Sequence, residues 1–272
     1  KGSAQDFALH KSLHEALTAE VDLRTTELQQ ANHELIVVNN ELTRSNELLE
    51  EFAHASSHDL KEPVRKIQLF TNMLQSKLAD RLDEDQSKAF AKIQIAAGRM
   101  NNLIDDMLKY SQLTYRQEAK QPVNLSRIME TVLEDLELHI EETQALVSVE
   151  DLPSVHGSER QLQQLFQNLV ANALKYRNLL TAPLINISGR ILTKELLSYA
   201  VIEVADNGIG FEPKYKEKIF RIFQRLHDQQ EYSGTGVGLS IARKVAENHN
   251  GYITVESVPG EGSKFFVFLP LN

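Results

Sequence analysis

The stretch SSHDLKEPVR, at residues 56–65, places a reactive side chain on a strongly helical background. His58 is followed at once by Asp59 and, five residues on, by Pro63. A neutral imidazole is a nucleophile near pH 7, and an adjacent carboxylate can orient the ring and take its proton. Proline lacks an amide donor and clashes with the carbonyl one turn back, so a bend is predicted just past His58. Taken alone, the stretch fits a surface histidine on a kinked helix equally well.

A seven-residue apolar repeat leads into this stretch. The repeat consists of Leu28, Leu35, Leu42 and Leu49, with Ala31, Val38, Ser45 and Phe52 three residues after each. A sustained repeat of this kind predicts a left-handed coiled coil. Asn32, Asn39 and Asn46 recur at the same period, which lowers stability and favours one register. The alternative is a lone amphipathic helix packed on its own domain, but the polar faces are too rich for a buried helix.

The helical pattern continues to about Ala79, breaks in the polar run 80–85 and resumes over residues 86–113. The second helix carries one apolar stripe. The stripe consists of Phe90, Ile93, Ala97, Met100, Ile104, Met107 and Leu108. A hairpin of two such helices exposes half its apolar surface, so a dimeric four-helix bundle is predicted.

Composition limits the classes of function. The 272 residues suggest more than one domain, and the net charge of -9 argues against nucleic acid or an anionic membrane as the main partner. The chain has no cysteine, which excludes disulfides and thiolate metal sites. Without an apolar run of about 18 residues, no membrane span is expected. Because the sequence does not begin with Met, we expect a fragment that lacks an upstream sensor domain.

After Gln121-Pro122, which is predicted to mark a linker, helical and strand-like segments are mixed. Helices are predicted near 125–142, 158–177 and 238–249, and strands at 145–149, 184–188, 199–204, 252–257 and 264–269. This order predicts an α/β sandwich with helices on one face of a sheet. The whole chain is therefore of the α+β class, with a coiled-coil helix at 1–44, a dimerisation domain at 45–118 and an α/β domain at 119–272.

Two clusters of polar residues lie in the first half of the α/β domain. In NLVANALKY, at residues 168–176, Asn168, Asn172, Lys175 and Tyr176 share one helix face. Amide oxygens can ligate magnesium and lysine can meet phosphate, although asparagines also bond neighbouring loops. In VADNGIGF, at residues 204–211, a carboxylate ends a strand and two glycines allow tight turning and close ligand approach. Read alone, this second cluster is an ordinary turn.

Two further clusters follow. In IFRIFQRL, at residues 219–226, two aromatic residues three apart predict one helical turn docked on a core. Arg225 is then either a phosphate ligand or a solvated side chain. In GTGVGLSI, at residues 234–241, a glycine-rich loop opens a helix and presents backbone amides to anions. Its spacing fits neither the Rossmann fingerprint nor the phosphate loop.

Together and in this order, the segments resemble the kinase core of a two-component sensor histidine kinase over about residues 45–272. They are similar to its phosphoacceptor, asparagine, first glycine, phenylalanine and second glycine boxes. The sequence around His58 most resembles that of the phytochrome-related subgroup. The α/β domain resembles the ATP-binding superfamily of gyrase, Hsp90, histidine kinases and MutL.

The resemblance implies a homodimer, located in the cytoplasm, in which His58 attacks the γ-phosphate of magnesium-ATP while Asp59 polarises the imidazole. The phosphoryl group then passes to a response regulator receiver domain. The implied nucleotide site consists of Asn168, Asn172, Lys175, Tyr176, Asp206, Gly208, Gly210, Arg225, Gly234, Thr235, Gly236, Gly238 and Leu239.

Within that implied site, Asp206 accepts from the adenine amino group and Tyr176 packs beside the base. Asn172 ligates Mg²⁺, and Lys175 meets phosphate. Residues 211–237 are the implied lid, whose polar stretch 228–231 is not expected to be rigid.

Two other classes of protein stay open. One is a non-enzymatic dimeric scaffold with a decayed nucleotide site, and the other is an ATP-driven clamp like gyrase or MutL. The intact motifs argue against the first, and the phosphoacceptor hairpin argues against the second. His54 lies one turn before His58, and such a pair can bind zinc, but no third ligand cluster lies nearby.

Overall fold

The structure is a computed structural model that describes residues 2–78, 81–115, 118–178, 180–194, 197–226, 232 and 234–271. Within these ranges, the side chains of residues 2–13, 15–16, 19, 22, 46–47, 49–56, 58, 114–115 and 194 lie outside the description. By its contacts the chain divides into two units, residues 1–52 and 53–272. The domain boundaries suggested by the sequence remain predictions.

Helix α1 covers Gly2–Leu78 and contains Pro63, so the proline does not end the helix. The predicted bend there remains a prediction. In the first unit, Leu28, Leu35 and Leu42 are 70%, 68% and 58% exposed. The helix is confirmed, whereas pairing through the heptad leucines remains a prediction. Leu49 and Phe52 of the repeat lie outside the described side chains.

Helix α2 covers Glu84–Tyr115 and forms a hairpin with the part of α1 that follows residue 52. Two reciprocal hydrogen bonds cap its first turn. The Gln86 backbone amide donates to Asp83 Oδ1 (2.7 Å), and the Asp83 backbone amide donates to Gln86 Oε1 (3.2 Å). Val64, Ala97 and Ile104 form the buried apolar cluster of the hairpin.

The α/β domain follows. Its elements are β1 (Gln121–Asn124), α3 (Leu125–Asp135), α4 (Glu137–Thr143), β2 (Leu146–Val149), β3 (Ser154–Gly157), α5 (Glu159–Lys175), β4 (Leu184–Lys194), β5 (Leu197–Asp206), α6 (Gly238–Asn248), β6 (Tyr252–Val258) and β7 (Gly262–Pro270). Short 3-10 turns lie at Pro213–Tyr215 and Lys218–Phe220. Asn124 and Ser158 begin α3 and α5 by accepting hydrogen bonds from amides of the first helical turn.

Five of the described strands form a mixed sheet in the order β2-β4-β5-β7-β6, in which β2 and β4 are parallel and the other pairs antiparallel. Burial alternates along β6, as expected when one face of a sheet packs on a core. Helices α3, α5 and α6 supply the other side of that core. The sequence-based fold class is therefore confirmed.

The structure corrects two details. The helix predicted over 125–142 is interrupted at Leu136, which separates α3 from α4. The predicted linker at Gln121-Pro122 begins β1, which pairs antiparallel with β3 and places Pro122 opposite His156. A proline is tolerated in an edge strand because its missing amide donor need not join a ladder. None of the described helices is long and apolar enough to cross a membrane.

Candidate functional site

The C-terminal end of α5, the end of β5 and the segment before α6 surround a cavity of about 80 Å³. Its lining residues are Asn172, Tyr176, Asp206, Ile209, Gly210, Phe211, Ile219, Gln224, Arg225, Leu226, Leu239, Ser263 and Phe265. Most of this wall is apolar, with a small number of polar groups, as is usual for a site that binds a small organic molecule.

Asp206 is the acidic group of this cavity. Its Oδ1 accepts hydrogen bonds from the Gly208 amide (2.8 Å) and the Ser263 amide (3.3 Å), which leaves Oδ2 for a ligand. Burial raises the pKa of Asp206 to about 6, although the two backbone hydrogen bonds act in the opposite direction. The group is therefore mainly ionised at neutral pH, in surroundings where a ligand N–H would stabilise the charge.

Contacts with neighbouring backbone, and not close approach of a ligand, explain why glycine stands at positions 208 and 210. A Cβ at Gly208 would lie 2.3 Å from the Tyr176 carbonyl oxygen, and one at Gly210 would lie 2.0 Å from the Val258 carbonyl oxygen. Gly210 also has a φ of 57°. The Ile209 amide donates to the Tyr176 carbonyl oxygen (2.9 Å). The two glycines thus fasten the Asp206 loop to neighbouring backbone.

A second cavity, of about 390 Å³, adjoins the first and shares Asn172 and Tyr176 with it. Its lining includes Asp106, Lys109, Asn168, Lys175, Gly234, Thr235, Gly236 and Gly238. Helix α5 supplies the amides and the ammonium, the glycine-rich segment supplies backbone amides, and α2 contributes a carboxylate and a second ammonium. Apart from Asp106, the charged groups in this lining suit an anion.

Two polar atoms near this wall are buried without a hydrogen-bond partner: Asn168 Nδ2 and Arg225 Nε. Buried polar atoms without partners are uncommon and indicate a place where a ligand or water completes the bonding. A Cβ at Gly238 would lie 3.1 Å from Asn168 Oδ1, so glycine at the start of α6 leaves room for this asparagine.

The positive groups hold defined positions. Lys175 Nζ donates to the Tyr176 hydroxyl (2.9 Å) and lies 4.3 Å from the centre of that ring. Tyr232 packs against Tyr176 with ring centres 5.1 Å apart. Arg225 donates to the carbonyl oxygens of Tyr232 and Gly234, the latter at 2.9 Å. The Arg225 guanidinium is therefore hydrogen-bonded to backbone carbonyls close to it in the chain, and its contact with phosphate remains a prediction.

The two phenylalanines of IFRIFQRL behave differently. Phe220 is buried against Phe265, with ring centres 6.4 Å apart. Phe223 is 52% exposed and has a φ of 63°, so it does not dock on the core as predicted. The 3-10 turn ends at Phe220, and the chain then turns away. The polar lid stretch 228–231 lies outside the described residues.

His58 lies within α1, but its side chain and that of His54 are outside the described residues. The zinc interpretation of the pair therefore stays untested. Near His58, Leu60 lines a further cavity together with Phe223 and Thr235. This shared cavity places the phosphoacceptor helix beside the glycine-rich segment.

Sequence reasoning missed several residues of the site. Ser263 is brought to Asp206 by the register of β5 and β7, which pairs the two residues directly. Asp106 and Lys109 of α2 line the second cavity, although they lie more than 100 residues before the glycine-rich segment that lines it too. No local sequence pattern predicts either of these placements, because both depend on long-range packing.

Comparisons with known proteins agree with this arrangement. Residues 48–116 match the His Kinase A (phospho-acceptor) domain, and residues 157–272 match the domain described as histidine kinase-, DNA gyrase B-, and HSP90-like ATPase. The chain belongs to the sensor histidine kinases and carries the two domains of their core.

Phytochromes are among its relatives. The chain is 40% identical over 245 residues to cyanobacterial phytochrome A of Nostoc sp., covering 90% of this chain and 31% of that protein. It is 38% identical over 245 residues to the phytochrome-like protein Cph1 of Synechocystis sp., covering 90% and 32%. The chain thus spans about a third of the length of these curated relatives.

Solved structures share the fold. Full-length ShkA in complex with AMPPNP has a TM-score of 0.61 at 20% identity, covering 81% of this chain and 45% of that one. The histidine kinase AdeS of Acinetobacter baumannii has a TM-score of 0.55 at 16% identity, covering 79% and 98%. These likenesses support the architecture of a helical region followed by an α/β sandwich.

Proposed function

We propose that this chain is a histidine kinase core that uses magnesium-ATP to phosphorylate His58 and passes the phosphoryl group to an aspartate of a response regulator receiver domain. The observation that carries the proposal is the pair of adjoining cavities, one apolar with a buried carboxylate and one rimmed by lysines and glycines. Their contrast matches the two halves of a nucleoside triphosphate. The AMPPNP bound to ShkA is consistent with such a ligand.

The base fits the first cavity. Asp206 Oδ2 accepts from the exocyclic amine of adenine, while the two backbone amides hold Oδ1. Tyr176 packs beside the base, and Leu239 contributes to the apolar wall. An oxo group at the position of the amine would face the carboxylate with an acceptor, so Asp206 favours adenine over guanine.

The phosphates fit the second cavity. Lys175 and the amides of Gly234, Gly236 and Gly238 face them, at the N-terminal end of α6. To contact phosphate oxygens, Lys175 exchanges its hydrogen bond with the Tyr176 hydroxyl for a stronger, charge-assisted bond.

Magnesium fits between the cavities. Asn172 lines both, and its amide oxygen is a suitable ligand for a hard cation. The described residues contain no group of three histidines or carboxylates that could hold a metal, so Asn172 would share the ion with the phosphates. When bound, the ion neutralises charge on the transferred phosphoryl group.

The transfer itself joins the two domains. An imidazole nitrogen of His58 forms a bond to the γ-phosphorus as the bond from that phosphorus to the bridging oxygen breaks, and ADP leaves. Asp59, next in the helix, orients the ring and takes up its proton. The exposed heptad leucines and the apolar hairpin support a homodimer as the working form.

Incubation with magnesium-ATP labelled at the γ-phosphate tests the proposal. We expect acid-labile, base-stable label on His58, and none on the His58→Gln variant. The variant should bind ATP with nearly unchanged affinity, because the nucleophile and the nucleotide site belong to different domains. Label retained by the variant at another residue would reject His58 as the acceptor.

A further inference from the structure

One contact crosses from the glycine-rich segment to the phosphoacceptor hairpin. Thr235 Oγ1 donates a hydrogen bond to Asp106 Oδ2 on α2. The Asp106 side chain is 24% exposed and lies 3.6 Å from Lys109 Nζ. A mostly enclosed carboxylate thus binds the segment that is expected to hold phosphates.

The position of Asp106 conflicts with phosphate binding. Its side chain lines the second cavity together with Lys175, Thr235 and Gly238. These groups suit an anion, and Thr235 binds the carboxylate of Asp106 in that role, whereas Lys175 donates to the Tyr176 hydroxyl. A triphosphate in the same cavity would add further negative charge close to a fixed one, and charges partly shielded from water repel strongly.

We propose that Asp106 is an internal competitor of the nucleotide phosphates. Its carboxylate accepts the hydrogen bond of the Thr235 hydroxyl, and a bound triphosphate displaces it. This inference rests on the proposed function, since it assigns the phosphates to the second cavity. Asp106 is a positioning residue, because it acts through Thr235 and not on the reacting atoms.

Displacement has a consequence for the domains. Asp106 lies on the hairpin that carries the phosphoacceptor, whereas Thr235 lies three residues before the first residue of α6 in the α/β domain. The contact therefore joins the glycine-rich segment to the hairpin. Binding of the triphosphate breaks this hydrogen bond and releases the glycine-rich segment from the hairpin.

A calorimetric titration of the complete chain with ATP, ADP and adenosine tests the competition. Asp106→Asn removes the charge but keeps an oxygen that can accept from Thr235. The matched control is Asp105→Asn, because Asp105 forms an ion pair with Lys61 and is not part of the cavity lining. We expect Asp106→Asn to bind ATP about tenfold more tightly, ADP with a smaller gain, and adenosine unchanged.

Two results would overturn the inference: a gain for Asp106→Asn no larger than that for Asp105→Asn, or an equal gain for ATP and adenosine. If neither the parent chain nor the variants bind ATP, the proposed function fails instead. Hydrogen exchange of residues 234–238 without nucleotide then still tests the contact. Asp106→Ala should accelerate exchange there and Asp105→Ala should not, whereas equal exchange in both would disprove the contact.

Discussion

The hairpin and the α/β domain differ in how completely one copy of the chain buries their apolar side chains. In the α/β domain, Leu162, Phe166 and Val267 are fully buried, within a core that runs from the end of α2 to β7. In the hairpin, the buried apolar cluster is Val64, Ala97 and Ile104. A sheet covered by helices encloses a core by itself, but two helices cannot.

This contrast teaches that the two regions depend on different partners. The hairpin leaves Ile67, Phe70, Met73, Ile93 and Met100 between 41% and 54% exposed, so it needs further helices to cover them. In the α/β domain, the unpaired polar atoms Asn168 Nδ2 and Arg225 Nε lie at the proposed nucleotide site, where a ligand would complete their hydrogen bonding. The following predictions test each dependence in turn.

The largest effect is expected in the α/β domain. Asn172→Ala should lower the rate of His58 phosphorylation about a thousandfold, because it removes the proposed protein ligand of magnesium. Among the described residues, the Asn172 side chain has no hydrogen bond, so the fold should survive. The control is Gln163→Ala on the same helix, whose amide donates to Asp135 (2.9 Å). Radiolabelling at several magnesium concentrations measures the loss, and an unchanged rate would remove Asn172 from the metal site.

The next effect concerns the helical region. Leu35 is 68% exposed in one copy, so a monomeric helix would tolerate Leu35→Asn with little change. If the heptads pair, each copy loses about 1.5–3 kcal/mol of apolar burial, and the dimer should weaken about a hundredfold or more. Analytical ultracentrifugation measures the dissociation constant. His33→Asn, on the outer face of the predicted coiled coil, is the matched control. Equal dissociation constants for both variants would argue against the coiled coil.

Asp206→Asn should weaken ATP binding but stabilise the fold. The asparagine oxygen can still accept the hydrogen bonds that two backbone amides donate to Oδ1. Its NH2 group then faces the adenine amine, so two donors meet and ATP binding should weaken about tenfold to a hundredfold. Calorimetry measures the affinity. An unchanged affinity would reject the adenine role of Asp206.

The pKa of Asp206 determines how these effects vary with pH. Because the pKa rises from 3.8 to about 6 on folding, ionisation removes up to about 3 kcal/mol of stability as the pH increases through this range, and little more above it. Asp206→Asn should lack this decline, so its advantage should grow from pH 4 to 6. ATP affinity of the parent chain should fall below pH 6, where the acceptor becomes protonated. Urea unfolding and calorimetry across this range measure both, and parallel profiles for the two chains would contradict the assignment.

The smallest effect is expected from changing helix phase. One inserted residue between Leu42 and His58 rotates the histidine by about 100°, whereas seven restore the heptad phase. In a chain that carries its native sensor, phosphorylation should therefore vary several-fold and periodically with insertion length. Packed helices tend to switch between discrete arrangements. A monotonic fall from one to seven insertions would show that the segment is only a tether.

Much of the site could be predicted from the sequence because the motifs are local. The helix that carries Asn168, Asn172 and Lys175 follows from their spacing, and the loop after β5 follows from Asp206 and its glycines. The reason for Gly208 could not be predicted, since the atom that excludes a side chain there belongs to Tyr176, at the end of a different element.

The sequence by itself determined most of the helices and strands, though not β1 and β3, together with the heptad repeat and the chemical groups of the proposed nucleotide site, because period, turn residues and side-chain type act over a few neighbouring residues. Only the tertiary structure decided which distant groups meet those motifs. It paired β1 with β3, set Ser263 beside Asp206 and brought Asp106 to Thr235. Such contacts depend on strand register and helix packing across the whole domain, and no local pattern encodes them.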